Sequence, residues 1–140
     1  MADLIGEYLE RASRFARVSV DEVRDAGGGD KGVESVVEKE GREILRKVTE
    51  DPFVVALDER GTLLKSAELA GFLEAHRSRG TRQVTFVIGG FGGLSENVRR
   101  RADMTVALSR MTFTHEMARL VLAEQVYRAM TIINRVPYQK

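Results

Sequence analysis

Gln83-Val-Thr-Phe-Val-Ile-Gly-Gly-Phe-Gly-Gly-Leu-Ser95 is the stretch that decides the fold class of this chain. Its first half, Gln83 to Ile88, is a short apolar run of the kind buried on both faces of a parallel sheet, and it is too short for a helix. Four glycines within residues 89–93 end it at once. A short helix from Ser95 to about Ala102 follows, and then a second apolar run, Met104 to Leu108. Strand, sharp turn, helix, strand is the crossover that joins parallel strands.

The same alternation continues in both directions. Upstream, Ser66 can cap a helix carrying Leu69, Ala70 and Leu73 and ending near Gly80, where glycine accepts the left-handed conformation past a terminus. Phe53 to Asp58 reads as a buried strand running into the turn Asp-Glu-Arg-Gly. Val33, Val36, Val37, Ile44, Leu45 and Val48 share one face of a helix over residues 33–49, with Gly41 a local weakness. Asp25 to Gly32 reads as a glycine-rich loop, Val18 to Val23 as a strand, and residues 3–16 as an amphipathic helix carrying Leu4, Ile5, Tyr8, Leu9, Ala12 and Phe15. Downstream, Thr114 is placed as the N-cap of a long helix that reaches Asn134 before Pro137 stops it. The expected architecture is α/β, one domain over residues 1–140, with a mainly parallel sheet and helices on both faces. Ligands in such sheets gather at the carboxyl ends of strands, here Leu57-Asp58, Gly89-Gly90 and Leu108-Ser109.

Composition narrows the function. The 140 residues contain no cysteine, which excludes disulfides and thiolate metal sites and suits a reducing compartment. The start is charged and periodic, unlike a signal peptide, and the longest strongly apolar stretch, Phe53 to Leu57, is far too short to span a bilayer. A soluble, cytoplasmic protein is expected. The net charge of +1 conceals a split: residues 1–76 hold 11 Lys/Arg and 17 Asp/Glu, net −6, whereas residues 77–140 hold 11 and 4, net +7. A basic half is the footprint of a surface that meets phosphates.

Three segments carry candidate chemistry. The glycine segment lets backbone approach a ligand closely, yet it is no Gly-x-Gly-x-x-Gly fingerprint, because Ser95 stands where the third glycine belongs, and no Gly-Lys-Ser/Thr follows; a tight turn without ligand explains it equally well. The loop Ser109-Arg-Met-Thr-Phe-Thr-His115-Glu116 offers helix N-terminal amides, with Met111 and Phe113 able to wall an adenine-sized pocket and His115 either a functional group or a capping residue. The other histidine, His76, reads as a solvated surface residue. In the last helix apolar side chains point nearly all round, so a second copy of the chain is expected to cover it as a homodimer. Glu124, Arg128 and Thr131 form its one polar stripe, either an ordinary intrahelical ion pair or a guanidinium oriented toward substrate.

Phe86-Val-Ile-Gly-Gly-x-x-Gly-Leu94, Leu108-Ser-x-Met-Thr-Phe-Thr-His115, Leu122-x-Glu-Gln-x-Tyr-Arg-Ala129 and Pro137-Tyr138 together resemble the RlmH family, SPOUT-class methyltransferases of the large ribosomal subunit. The resemblance implies a C-terminal trefoil knot, an S-adenosyl-L-methionine site, a homodimer, no metal, and methylation at N3 of a pseudouridine in 23S rRNA. It places cofactor binding at Leu57, Gly89, Ser109, Arg110, Met111, Thr112, Phe113 and Thr114, and substrate and catalytic roles at His115, Glu124, Arg128 and Tyr138. His115 or Tyr138 would assist removal of the N3 proton while Arg128, held by Glu124, stabilises the charge on the base. The chain departs from the family in two places. Gln139 stands where the tail has histidine, and the family's first strand, ahead of the helix starting at Asp3, has no counterpart. A four-stranded sheet with a displaced N-terminal region follows from that loss. Two further readings compete: a catalytically impaired RNA-binding dimer with the same fold, and a flavodoxin-like protein that binds a nucleotide at the glycine turn.

Overall fold

A computed structural model describes residues 1–23, 32–90 and 92–138. Phe91, Gln139 and the loop expected at Asp25 to Gly32, apart from Gly32 itself, lie outside the described residues. The elements run α1 (Ala2–Ala12), α2 (Val33–Val48), β1 (Phe53–Leu63), α3 (Ser66–Ser78), β2 (Val84–Val87), α4 (Glu96–Arg101), β3 (Met104–Ala107) and α5 (His115–Ile133). The three strands are parallel in the order β2-β1-β3.

The α/β expectation holds, with helices on both faces. Val54, Ala56 and Val87 turn one way and pack with Ile44 and Val48 of α2, Val98 of α4, and Leu94. Phe86 turns the other way, toward Leu69, Ala70 and Phe72 of α3 and Ala129 and Ile133 of α5. Helix α1 lies on the far side of α5, where Tyr8 meets Tyr127 at 6.1 Å between ring centres. Side-chain alternation in the strands therefore feeds two separate apolar layers.

The expected fourth strand, Val18 to Val23, does not form among the described residues. Residues 17–23 adopt no regular structure, and the segment is held instead by Glu22, which pairs with Arg119 of α5 at 2.8 Å, and by Val23 against the core. A strand of alternating valines needs a neighbouring ladder, and here no described strand pairs with it. Strand β1 is longer than expected. Both Leu57 and Thr62 pair with Val106, so the intervening Asp-Glu-Arg-Gly is an excursion within the strand and not its end. A Cβ on Gly61 would come within 2.7 Å of the Thr105 carbonyl carbon, which is why glycine closes the excursion. Arg60 donates to the Asp58 carboxylate at 3.0 Å and holds its pKa below the ordinary value chiefly through that bond.

Three local expectations change in tertiary context. Ser66 is not the cap of α3; Lys65 is, its backbone N–H donating to Glu68 Oε1 at 2.7 Å, and Ser66 is the first helical residue. Thr131, read as part of the polar stripe with Glu124 and Arg128, turns its hydroxyl back onto the helix: it is 2% exposed and donates to the Arg128 carbonyl at 2.6 Å. His76 is not solvated either. It is 5% exposed, 4.3 Å from the Phe53 ring and 4.7 Å from the Phe72 ring, with Nδ1 at 2.9 Å from the Thr81 hydroxyl. The rings shield it because α3 lays its C-terminal turn over the start of β1.

Burial, reinforced by the charge of Arg79, pushes the His76 pKa below its usual 6.5. The folded state therefore favours neutral imidazole, and this contribution to stability, present above pH 6.5, is lost as pH falls through the depressed value. His76→Phe retains ring packing and cannot titrate. Chemical denaturation at about pH 7.5 and about pH 5 is expected to show a larger acid loss of stability in the wild type than in this variant. Equal losses in both would rule out the assignment.

Candidate functional site

The glycine turn follows β2 directly and closes on itself. Gly93 N–H donates to the Gly90 carbonyl at 3.0 Å, and Gly93 adopts φ +83°, a conformation that favours glycine. A Cβ on Gly89 would lie 2.6 Å from the Gly93 carbonyl carbon, and one on Gly92 would lie 2.4 Å from Val37 Cγ2 of α2. Close packing of the turn on itself and on α2 thus accounts for these glycines without a phosphate. The Gly41 position has the same explanation. It is buried, and a Cβ there would meet Ser95 Oγ at 2.4 Å, so the residue that looks like a weakness in α2 is its point of closest approach to the α4 N-terminus. Ser95 itself caps α4 by accepting from Val98 N–H at 3.2 Å.

His115, the first residue of α5, meets this turn. Its Nδ1 is 2.9 Å from the Gly89 carbonyl oxygen. A carbonyl only accepts, so Nδ1 carries the proton and the lone pair of the neutral ring sits on exposed Nε2. The helix starts where the sequence places it, with Thr114 Oγ1 accepting from Met117 N–H at 3.2 Å. The preceding loop is braced by Ser109 Oγ, which accepts from Met111 N–H at 2.9 Å, and by Arg110, whose guanidinium donates to the Glu59 carbonyl. Phe113 is half-buried and Met111 is 75% exposed.

A cavity of about 210 Å³ opens at the carboxyl ends of β1 and β3, between the sheet, the start of α3 and the middle of α5. Leu57, Phe86, Leu108 and Leu122 give it an apolar wall, and Ser66 and Gln125 add polar groups. Of the residues expected at a cofactor, Leu57 lines this cavity; Ser109 to Thr114 continue from its lining residue Leu108, and Gly89 lies on the neighbouring turn. Ser66 and Gln125 escaped the sequence assignment, although Gln125 stands inside the motif around Glu124.

Glu124 is the centre of a third cluster. Its Oε2 accepts from Arg128 Nη2 at 2.6 Å and from the Tyr138 hydroxyl at 2.8 Å, and its Oε1 accepts from Gln125 Nε2 at 2.8 Å. The Arg128 guanidinium also stands 4.7 Å from the centre of the Tyr138 ring, which packs edge-on against Tyr127. The bond to Glu124 raises the Arg128 pKa further, so the guanidinium is permanently charged. Burial, then the bond to Glu124, raises that of Tyr138, so its hydroxyl stays protonated and donates. Arg128 Nε is buried with no partner among the described residues.

The site residues are thus assembled in two groups, not one. With a rise of about 1.5 Å per residue, His115 and Arg128 stand roughly 20 Å apart along the α5 axis. Tyr138 joins Glu124 and Arg128, whereas Gly89 joins His115.

A parallel α/β sheet whose carboxyl edge carries a glycine turn, a cavity and a capped terminal helix is the setting in which family membership can be judged. Residues 1–139 match the family model described as "Predicted SPOUT methyltransferase", and the chain belongs to that family. Its relatives include the protein named ribosomal RNA large subunit methyltransferase H from Geotalea daltonii, 46% identical over 96% of this chain and 86% of the relative. Proteins of the same name from Syntrophotalea carbinolica, at 44% identity over 94% of this chain and 85% of the relative, and from Carboxydothermus hydrogenoformans, at 45% over 97% and 88%, are similar throughout. Within the SPOUT methyltransferases, the chain is therefore a member of the methyltransferase H group.

Gly89→Ala places a methyl group against backbone that cannot swing aside. It is expected to cost about 1–3 kcal/mol in urea unfolding and to break the bond to His115. Nitrogen NMR of the His115 ring should then lose its uniform Nδ1–H tautomer; an unchanged tautomer in a destabilised variant would show that Gly89 does not orient the ring.

Proposed function

We propose that this protein transfers a methyl group from S-adenosyl-L-methionine to N3 of a pseudouridine in 23S rRNA of the large ribosomal subunit, acting as a cytoplasmic homodimer with a C-terminal trefoil knot. The names of its relatives support the rRNA substrate, and the basic charge of residues 77–140 suits a phosphate-bearing partner. The single observation that carries the chemistry is that α5 presents two fixed groups: an imidazole oriented by the Gly89 carbonyl, and, further along the helix, a permanently charged guanidinium fixed on Glu124.

The residues at the carboxyl edge fit the cofactor. The cavity is apolar enough to take an adenosine face and carries Ser66 and Gln125 for its polar edges, while the loop Ser109 to Thr114 and the turn at Gly89 extend the surface beyond it. Leu57, Gly89, Ser109, Arg110, Met111, Thr112, Phe113 and Thr114 would hold the group. When bound, it supplies an electrophilic methyl on a sulfonium, which requires no metal. Among the described residues no cluster of His, Asp and Glu capable of holding a metal is present.

His115 Nε2 accepts the N3 proton of the base as the nitrogen becomes nucleophilic, the ring being held in the required tautomer by Gly89. Arg128 stabilises the negative charge that develops on the adjacent carbonyl oxygens. Tyr138 serves differently from His115: a protonated hydroxyl donating to Glu124 steadies the carboxylate and cannot receive a proton. Two copies reconcile the roughly 20 Å between the groups along α5, since antiparallel α5 helices would bring the partner subunit's Arg128 to His115. Apolar residues left half-exposed along α5, with Met117 at 37% and Ile132 at 44%, support that face as the interface.

Calorimetry with S-adenosyl-L-methionine and methyl transfer to ribosomes lacking the modification test the proposal. Arg128→Ala and His115→Ala are each expected to bind cofactor within a few-fold of wild type while slowing transfer by about 100-fold or more. Wild-type rates in Arg128→Ala would remove its role. Transfer by neither wild type nor variants, with cofactor bound, would favour an impaired RNA-binding dimer.

A further inference from the structure

We propose that Gln125 is a positioning residue that couples the cavity to the Glu124–Arg128–Tyr138 cluster. The inference rests on the function proposed above. The Ser66 hydroxyl donates to Gln125 Oε1 at 2.6 Å, and Gln125 Nε2 donates to Glu124 Oε1 at 2.8 Å. The two bonds fix the amide orientation, because the reversed amide would set its carbonyl oxygen against a carboxylate. Ser66 is free for this bond because Lys65 and Glu68 cap α3 in its place.

Both members of this relay line the cavity. Glu124 does not, yet it holds the two groups on the substrate side: Oε2 takes Arg128 and Tyr138 while Oε1 takes Gln125. Rotation about the terminal torsion of a glutamate is soft, so a carboxylate anchored at one oxygen alone swings, and its partners swing with it. The Gln125 amide supplies the second anchor. A ligand group in the cavity that bonds to Ser66 or to the amide therefore changes how Glu124 presents Arg128. Positioning of this kind affects rate more than affinity, since a misplacement of about 1 Å can cost about 100-fold.

Full-length variants decide it. Gln125→Met keeps length and apolar fit without hydrogen bonds, and Gln125→Glu keeps shape but, when ionised, cannot donate to Glu124. Both are expected to lower kcat for methylation of unmodified large subunits by about tenfold or more, a larger factor than any weakening of the calorimetric affinity for S-adenosylhomocysteine, while KM for the subunit stays within about threefold. Ser66→Ala should lower kcat by a smaller factor, and Ser66→Ala combined with Gln125→Met should be no slower than Gln125→Met alone, as members of one relay are not additive. A Gln125→Glu variant with wild-type kcat would leave only a shape requirement and overturn the relay. So would a Gln125→Met defect confined to cofactor affinity, or an additive double variant. A wild type that binds no S-adenosylhomocysteine and modifies no subunit overturns the proposed function itself; a wild type that does both, matched in kcat by Gln125→Met, overturns the relay alone.

Discussion

Strand β1 lies between β2 and β3 with Val54, Val55 and Ala56 sealed from water, so their peptide groups must find partners on both sides within the protein. That demand sets the arrangement of everything else. It aligns Phe53 to Ala56 with Val84 to Val87 and Val55 to Leu57 with Met104 to Val106, which brings the carboxyl ends of all the strands to one edge. The entry is secured as well: Val54 donates to the Asp103 carboxylate at 2.9 Å, and Arg101 donates to the carbonyls of Val48 and Asp51, closing the end of α2 onto the start of the sheet. When β1 departs from the ladder after Leu57 and returns at Thr62, the excursion leaves Leu57 and Leu64 on the wall of the cavity.

Elements governed by their own residues were legible in the sequence. Thr114 caps the helix it was expected to cap, Gly80 takes its left-handed turn after α3, and the strand, glycine turn and helix from Val84 to Arg101 stand in the expected order. What could not be read locally depended on residues brought from elsewhere. His76 looks like a surface residue until Phe53 covers it, Gly41 looks like a defect until Ser95 presses on it, and Ser66 looks like a cap until Gln125 claims its hydroxyl. The valines at 18, 20 and 23 carry a strand pattern, but a pattern forms no strand without a neighbour. Among candidate site residues, family resemblance identified Glu124, Arg128 and Tyr138; their shared carboxylate oxygen emerges only from the folded tail.

Charge states within the site divide the labour. Arg128 keeps its proton because Glu124 accepts from it, and Tyr138 keeps its own because burial and the same carboxylate disfavour the phenolate. The cluster thus holds an ion pair and a protonated phenol on one carboxylate. His115, by contrast, is in contact with the glycine turn and open to solvent.

Helix α5 carries His115 at its first position, Glu124 and Gln125 at mid-length and Arg128 beyond them, so it acts as a ruler as well as a scaffold. Each residue of a helix advances the chain by about 1.5 Å and turns it by about 100°. A change of side chain leaves that spacing intact, but one inserted or deleted residue between His115 and Glu124 would turn the carboxylate and the neighbouring amide about a quarter of the way round the helix, taking Gln125 away from Ser66, while the imidazole stayed in place. Length, more than composition, is the quantity this segment must conserve.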